Sequence, residues 1–276
     1  MPPVAPLDLA AIRRPDPEAL VATWFGHSSF LLQVGGRNFL TDPIFSSYCA
    51  PVPLPGFRRH GAIAAFPDEF PRIDAIILSH NHYDHMDRRT LRALGSRVRI
   101  LCPLGLRPIL KRWGFAMVTE LSWGDSAMDG EVRLTALPVQ HGSGRTPFDR
   151  NQSLWCGWLL EFRGRRMIFL GDTGYAPFFR EFGDRFGPVD MALIPIGAYR
   201  PSWFMKPLHL SPVEAVQVHE DLRARCSVAM HWGTFRLADE PLGEPPRLLR
   251  EAMMMKGLTA EEFRIPQLNE SVATRL

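Results

Sequence analysis

Residues 79–87 read SHNHYDHMD, and within them His80, His82, Asp84 and His85 form the pattern H-x-H-x-D-H. Imidazole nitrogens suit zinc and similar first-row metals, and an interleaved carboxylate adds a harder, negatively charged donor. Immediately upstream, Ile73-Asp74-Ala75-Ile76-Ile77-Leu78 is a short apolar run rich in β-branched residues, the signature of a buried strand. Residues 88–94 carry a helical pattern. The motif therefore falls in a loop at the carboxyl end of a strand, where α/β proteins place their sites. The bland alternative is three solvated histidines in a surface loop.

Ligand-type residues recur at other strand ends, which weighs against that alternative. The strand-like run 131–139 delivers Gln140-His141-Gly142, the run 167–170 ends in Gly171-Asp172-Thr173-Gly174, and the run 227–230 delivers His231-Trp232-Gly233. One histidine at a strand end means little; four strand ends offering His or Asp make a coherent donor set. Strand-rich halves with intervening helices predict an α/β chain, two sheets packed face to face with helices outside.

Composition excludes several function classes. The chain of 276 residues carries a net charge of only +3, with no Lys/Arg run longer than a pair, so nucleic acid is not an expected partner. Cys49, Cys102, Cys156 and Cys226 show no C-x-x-C spacing, which disfavours a zinc knuckle or a disulfide framework and fits a reducing cytosol. Residues 1–20 lack the apolar segment of a signal peptide, and no window of about 18 apolar residues occurs. A cytoplasmic protein is expected, with a homodimer compatible.

Residues 1–19 are Pro-rich and expected to lie as an extended arm over a single domain, 20–276. Runs 20–25, 29–34 and 38–41 read as strands, with Gly35-Gly36 making a hairpin. His27 sits where two of these runs meet and reads as a structural histidine more than a ligand. The irregular stretch 44–72 carries Phe45, Tyr48, Phe57, Phe66 and Phe70, either a lid on the core or an apolar lip beside the site. Helices are expected at 104–113, at 177–186, at 211–222 behind Ser211-Pro212, and at 245–255, where Met253, Met254 and Met255 read as core filler. On its own, His209 reads as an exposed loop histidine.

The chain resembles the metallo-β-lactamase superfamily: H-x-H-x-D-H, then His141, Asp172 and His231, is the superfamily's order of ligands. Within it, Thr41 to Ser47 (TDPIFSS), Ser79 to Met86, Gly171 to Tyr175 (GDTGY), Ile194 to Lys206 (IPIGAYRPSWFMK) and His231 to Phe235 (HWGTF) resemble the N-acylphosphatidylethanolamine-hydrolysing phospholipase D family. The resemblance spans residues 23–246. It implies an αβ/βα sandwich of two mixed sheets, α/β or α+β by scheme. It implies two zinc ions, with manganese or iron also suited to the donors. One would be held by His80, His82 and His141, the other by Asp84, His85 and His231, with Asp172 bridging. It further implies substrate contacts at Tyr83 and His209, and a carboxylate at Asp42 that orients a histidine rather than binding metal. The Gly142-Ser143-Gly144-Arg145 loop is smaller than its counterpart in the animal enzymes, a departure that leaves the implied metal ligands untouched.

Two dipositive ions against Asp84, Asp172 and a bridging hydroxide leave net positive charge, which suits an anionic phosphodiester. The implied function is a zinc-dependent phosphodiesterase acting on N-acylphosphatidylethanolamine-like lipids, with peripheral membrane contact. Two alternatives stand beside it: a metal-dependent lactonase acting on a sugar phosphate, for which the Gly26 to Phe30 stretch would also serve, and a non-catalytic metal-binding scaffold.

Overall fold

Runs such as Phe30-Leu31-Leu32 and Ala75-Ile76-Ile77 are apolar at every position, the pattern of strands covered on both faces. A computed structural model, which describes residues 1–61 and 69–274, shows what covers them. The first sheet takes β1 (Leu20–Trp24), β2 (Phe30–Val34), β3 (Arg37–Thr41), β4 (Ala75–Ile77), β5 (Arg99–Pro103) and β6 (Val118–Leu121). The second takes β7 (Ser126–Asp129), β8 (Val132–Leu137), β9 (Gly157–Phe162), β10 (Arg165–Phe169), β11 (Met191–Pro195), β12 (Ser227–Met230) and β13 (Phe263–Arg264). A last strand, β14 (Ser271–Thr274), returns to pair with β1. The orders are β14-β1-β2-β3-β4-β5-β6 and β7-β8-β9-β10-β11-β12-β13.

Both sheets are mixed in the same way. From β14 to β3, and from β7 to β10, neighbours are antiparallel; from β3 to β6, and from β10 to β13, they are parallel. The strand at which the sense changes is β3 in one sheet and β10 in the other, and an aspartate, Asp42 or Asp172, follows each closely. Phe30, Leu32, Phe39 and Ile77 of the first sheet meet Leu134, Trp158, Leu160 and Phe169 of the second in one core. The alternate residues Leu31, Leu40, Ile76 and Ile100 pack under α1 (Leu9–Arg13), α2 (Arg88–Leu94) and α3 (Arg107–Arg112). Phe179, Val218 and Leu249, from α4 (Phe178–Phe186), α6 (Pro212–Asp221) and α7 (Glu244–Lys256), join the inter-sheet core from the other side.

Two tryptophans tie the sheets together beside the ligand loops. Trp158 of β9 donates from Nε1 to the carbonyl of Leu78 at 3.0 Å, and Trp24 of β1 stacks on Trp232 at 5.5 Å between ring centroids.

Several local expectations change. Residues 1–19 are not extended throughout, because Asp8 accepts from the amide of Ala11 at 2.9 Å and caps the short α1, whose Ile12 is buried. Of the three methionines only Met253 is in the core; Met254 and Met255 are 76% and 75% exposed, since successive helical residues turn by about 100°. Phe45 and Phe70 pack on buried Phe25, Phe57 is exposed, and Phe66 lies outside the described residues.

Gly197, just after β11, lets that strand pass the backbone of His231; an added Cβ would overlap the His231 carbonyl oxygen. Gly197→Ala should lower stability by about 1–3 kcal/mol in denaturant unfolding, the usual range for overpacking. An unchanged midpoint would refute this packing.

Candidate metal centre

Loops at the carboxyl ends of β4, β8, β10 and β12 converge between the sheets. After β4 the chain turns once, with the carbonyl of His82 accepting from the amides of His85 and Met86 at 3.2 and 2.9 Å, and Asp87 then caps α2 through the amides of Arg89 and Thr90. This tight path swings His80, His82, Asp84 and His85 to one side. His27 and His231 both adopt positive φ, 54° and 59°, and the His231 amide donates to the His27 carbonyl at 3.0 Å. Asp42 is also left-handed, at 31°. Strained backbone at three positions around one centre is characteristic of functional sites.

The donor atoms form two groups. His80, His82 and His141 make the first: Nδ1 of His82 lies 2.8 Å from Nε2 of His80 and 3.3 Å from Nε2 of His141. Asp84, His85 and His231 make the second, with His27 beside them; Oδ2 of Asp84 is 3.3 Å from His85 Nε2, 3.6 Å from His231 Nε2 and 2.9 Å from His27 Nε2. Oδ2 of Asp172 stands between the groups, 3.0 and 3.1 Å from Nε2 of His85 and His231, and 4.0 and 3.8 Å from Nε2 of His80 and His141.

Hydrogen bonds around the rim define which nitrogens face inward. Asp42, wholly buried, accepts from the Ser79 amide at 2.7 Å, the Ser79 hydroxyl at 2.5 Å and His85 Nδ1 at 2.7 Å. With its proton directed to Asp42, the Ser79 hydroxyl accepts from His80 Nδ1 at 2.8 Å. His141 Nδ1 donates to the Leu208 carbonyl at 2.9 Å. Each outer nitrogen thus holds the proton, leaving lone pairs on Nε2 of His80, His85 and His141, as assigned from this network.

Nε2 of His80 and of His141 meet only His82 Nδ1, and other inward-facing atoms meet no hydrogen-bond partner. His85 Nε2, both ring nitrogens of His231 and Oδ1 of Asp172 are buried without a hydrogen bond, even though His85 and His231 approach Asp172 closely. Buried polar atoms are rarely left so. Converging imidazole lone pairs around carboxylates are the donor set of a divalent cation, so the residues fit a metal centre.

The electrostatics agree with a cation-binding pocket. Burial favours the neutral acids, yet His231 and His85 beside Asp172 hold its carboxyl well below the usual range. Burial also lowers His85 and His231, but Asp172 outweighs it, raising His85 well above and His231 to about 9. Burial takes His141 down to about 4 and His27 to about 3.

His209 is a correction to its reading as an exposed loop residue: it is buried, with its ring 5.1 Å from His141 and 5.4 Å from His231. Tyr83 is half-buried, its ring 3.8 Å from the guanidinium carbon of Arg145. Sequence reasoning missed the roles of Ser79 and Arg145. Arg145 donates to the carbonyls of Asn81 and Met86 at 2.8 and 2.9 Å, clasping both ends of the ligand loop.

The chain matches the family model for the beta-lactamase superfamily domain over residues 37–232. It is 41% identical to an uncharacterized protein of Mycobacterium tuberculosis over 260 residues, 91% of this chain and 69% of the relative. It is 38% identical to N-acyl-phosphatidylethanolamine-hydrolyzing phospholipase D 1 of Caenorhabditis elegans over 248 residues, 85% of this chain and 70% of the relative. Among solved structures, isothiocyanate hydrolase from Delia radicum gut bacteria superposes with a TM-score of 0.75 at 21% identity, covering 93% of this chain and 99% of that one, a likeness of fold.

Asp42→Ala should weaken metal retention about 10–100-fold, the usual effect of removing a residue that orients a ligand. Competition with a chelator measures it. Wild-type retention in the variant would show that Asp42 does not support the centre.

Proposed function

Because the chain belongs to the metallo-β-lactamase superfamily and, within it, to the N-acylphosphatidylethanolamine-hydrolysing phospholipase D family, we propose that it is a zinc-dependent phosphodiesterase cleaving lipids of that class. It is a hydrolase of the metallo-β-lactamase fold with a His/Asp cluster for a divalent metal. The observation that carries the finer reading is the place of Asp172 Oδ2, within 4.0 Å of a nitrogen from both donor groups. His80, His82 and His141 would hold one ion, Asp84, His85 and His231 the other, and Asp172 both. Zinc suits the imidazole-rich set, and manganese or iron would also be accepted. Bound there, such cations supply positive charge to phosphoryl oxygens and acidify water.

The protein's own groups complete the site. Burial keeps His209 neutral, and its Nδ1 has no partner, so it is free to hydrogen-bond a substrate oxygen. Tyr83, with the Arg145 guanidinium over its ring, would contact the substrate beside the ligand loop. His209 also lines a cleft of about 580 Å³ with Arg200, Lys206 and Trp203. Beside it, Trp203 and Phe204 of α5 (Ser202–Met205) are 82% and 56% exposed, apolar surface against which acyl chains would lie. Among the described residues no helix is long and apolar enough to cross a membrane, so such a lipid would be met at its interface.

Asp172→Asn should reduce bound metal from two ions per chain and abolish nearly all turnover while the circular dichroism spectrum persists. Elemental analysis with wild-type metal content would remove Asp172 from its bridging role.

N-Acylphosphatidylethanolamine in micelles should yield phosphatidate and an N-acylethanolamine, detected by mass spectrometry. A lactone or thioester turned over in place of the lipid would overturn this substrate class and leave the metal centre standing.

A further inference from the structure

A second cleft, of about 640 Å³, is lined in part by Tyr83. Its lining includes Arg88, Arg89 and Arg92 from and beside the exposed face of α2, Arg112 of α3, and Arg145, with Trp113 between them. Five guanidiniums in one depression is a large local charge for a chain whose net charge is +3. Asp87 and Asp149 also line the cleft and leave an excess of three positive charges. Asp87 is occupied by the hydroxyls of Ser46 and Thr90 and by the α2 amides, and Asp149 by the amides of Arg145 and Thr146. Among the described residues, Arg88, Arg89, Arg92 and Arg112 have no carboxylate partner. Trp113 holds Arg88 and Arg145 apart by stacking, with guanidinium carbons 5.7 and 5.2 Å from its ring.

Like charges in excess of their counter-ions repel one another, and an anion with several acceptor oxygens relieves that repulsion. Guanidinium forks match phosphate oxygens in pairs, and a phosphate monoester, with nearly two negative charges, offers the most acceptors for its size. We propose that this cleft is a second, metal-independent binding site for a phosphate monoester group. It is lined by none of the metal-donor residues, so it does not depend on the hydrolytic reading. The group is either the head of an anionic lipid or a free phosphate. Phe148, 87% exposed between Thr146 and Asp149, and Val52, 54% exposed next to Pro51, flank the cleft with the apolar surface a lipid source would use.

The test uses the metal-loaded full chain and the variant Arg89→Ala/Arg92→Ala/Arg112→Ala, whose three positions are exposed and hold no described hydrogen bond through their side chains. One arm titrates inorganic phosphate by calorimetry. The other sediments vesicles of phosphatidylcholine with and without phosphatidate. Binding about tenfold weaker in the variant, and declining with added salt, is expected. Loss in the calorimetric arm alone assigns a soluble phosphate; loss in the phosphatidate arm assigns a lipid head group. Equal behaviour of wild type and variant in both arms, including no binding by either, overturns the proposal. Turnover of a water-soluble phosphodiester by the variant, measured in parallel, should match wild type, so either outcome leaves the hydrolytic reading to its own assay.

Discussion

The buried carboxylate of Asp42 is the constraint on which the centre depends. Three donors are directed at it, one from each Ser79 group and one from His85 Nδ1. What it does is settle protons. Through His85 directly and through Ser79 to His80, it determines the tautomer of one histidine in each donor group. A single carboxylate thereby prepares both halves of the pocket, and a protein without it would have to order two imidazoles separately, at the entropic expense of each side chain.

The same economy extends to the sheets. Asp42 and Asp172 follow the corresponding strands of two similarly mixed sheets, yet one turns outward to hold histidines and the other inward between them. The difference lies in the neighbours. Gly171, at φ 59°, brings its loop so close to Ser79 that a Cβ would stand 2.6 Å from that residue's own, driving Asp172 into the centre. Asp42, packed beside Ser79 rather than over it, is screened from the centre by the imidazoles it supports.

Much of this was legible in the residues. Strands with continuous apolar runs, such as 75–77 and 191–195, are buried on both faces, so composition alone marks them. Edge strands carry no such mark: Ser126–Asp129 and Ser271–Thr274 are short and partly polar, and only pairing with β8 and β1 makes them strands. The candidate donors that the fold brings together were readable because they cluster in sequence or follow apolar runs. Asp42 was placed as an orienting carboxylate, whereas its relay through Ser79 was not foreseen. Arg145 was equally hidden: it reaches residues about sixty positions away, and nothing local records which carbonyls it will meet.

Each donor group takes residues from both sheets: His80 and His82 from the first and His141 from the second, Asp84 and His85 from the first and His231 from the second. Neither sheet alone can offer a complete set. A divalent cation captured by either group would therefore be linked to docking of the sheets, a rivet across the core. By mass action, free metal at a hundredfold excess over its dissociation constant adds about 2.7 kcal/mol to the docked state for each independent site. With such ions bound, the resistance of this fold to heat and denaturant would become a function of the metal activity around it, and the same atoms that prepare the centre would also report whether the two halves have closed.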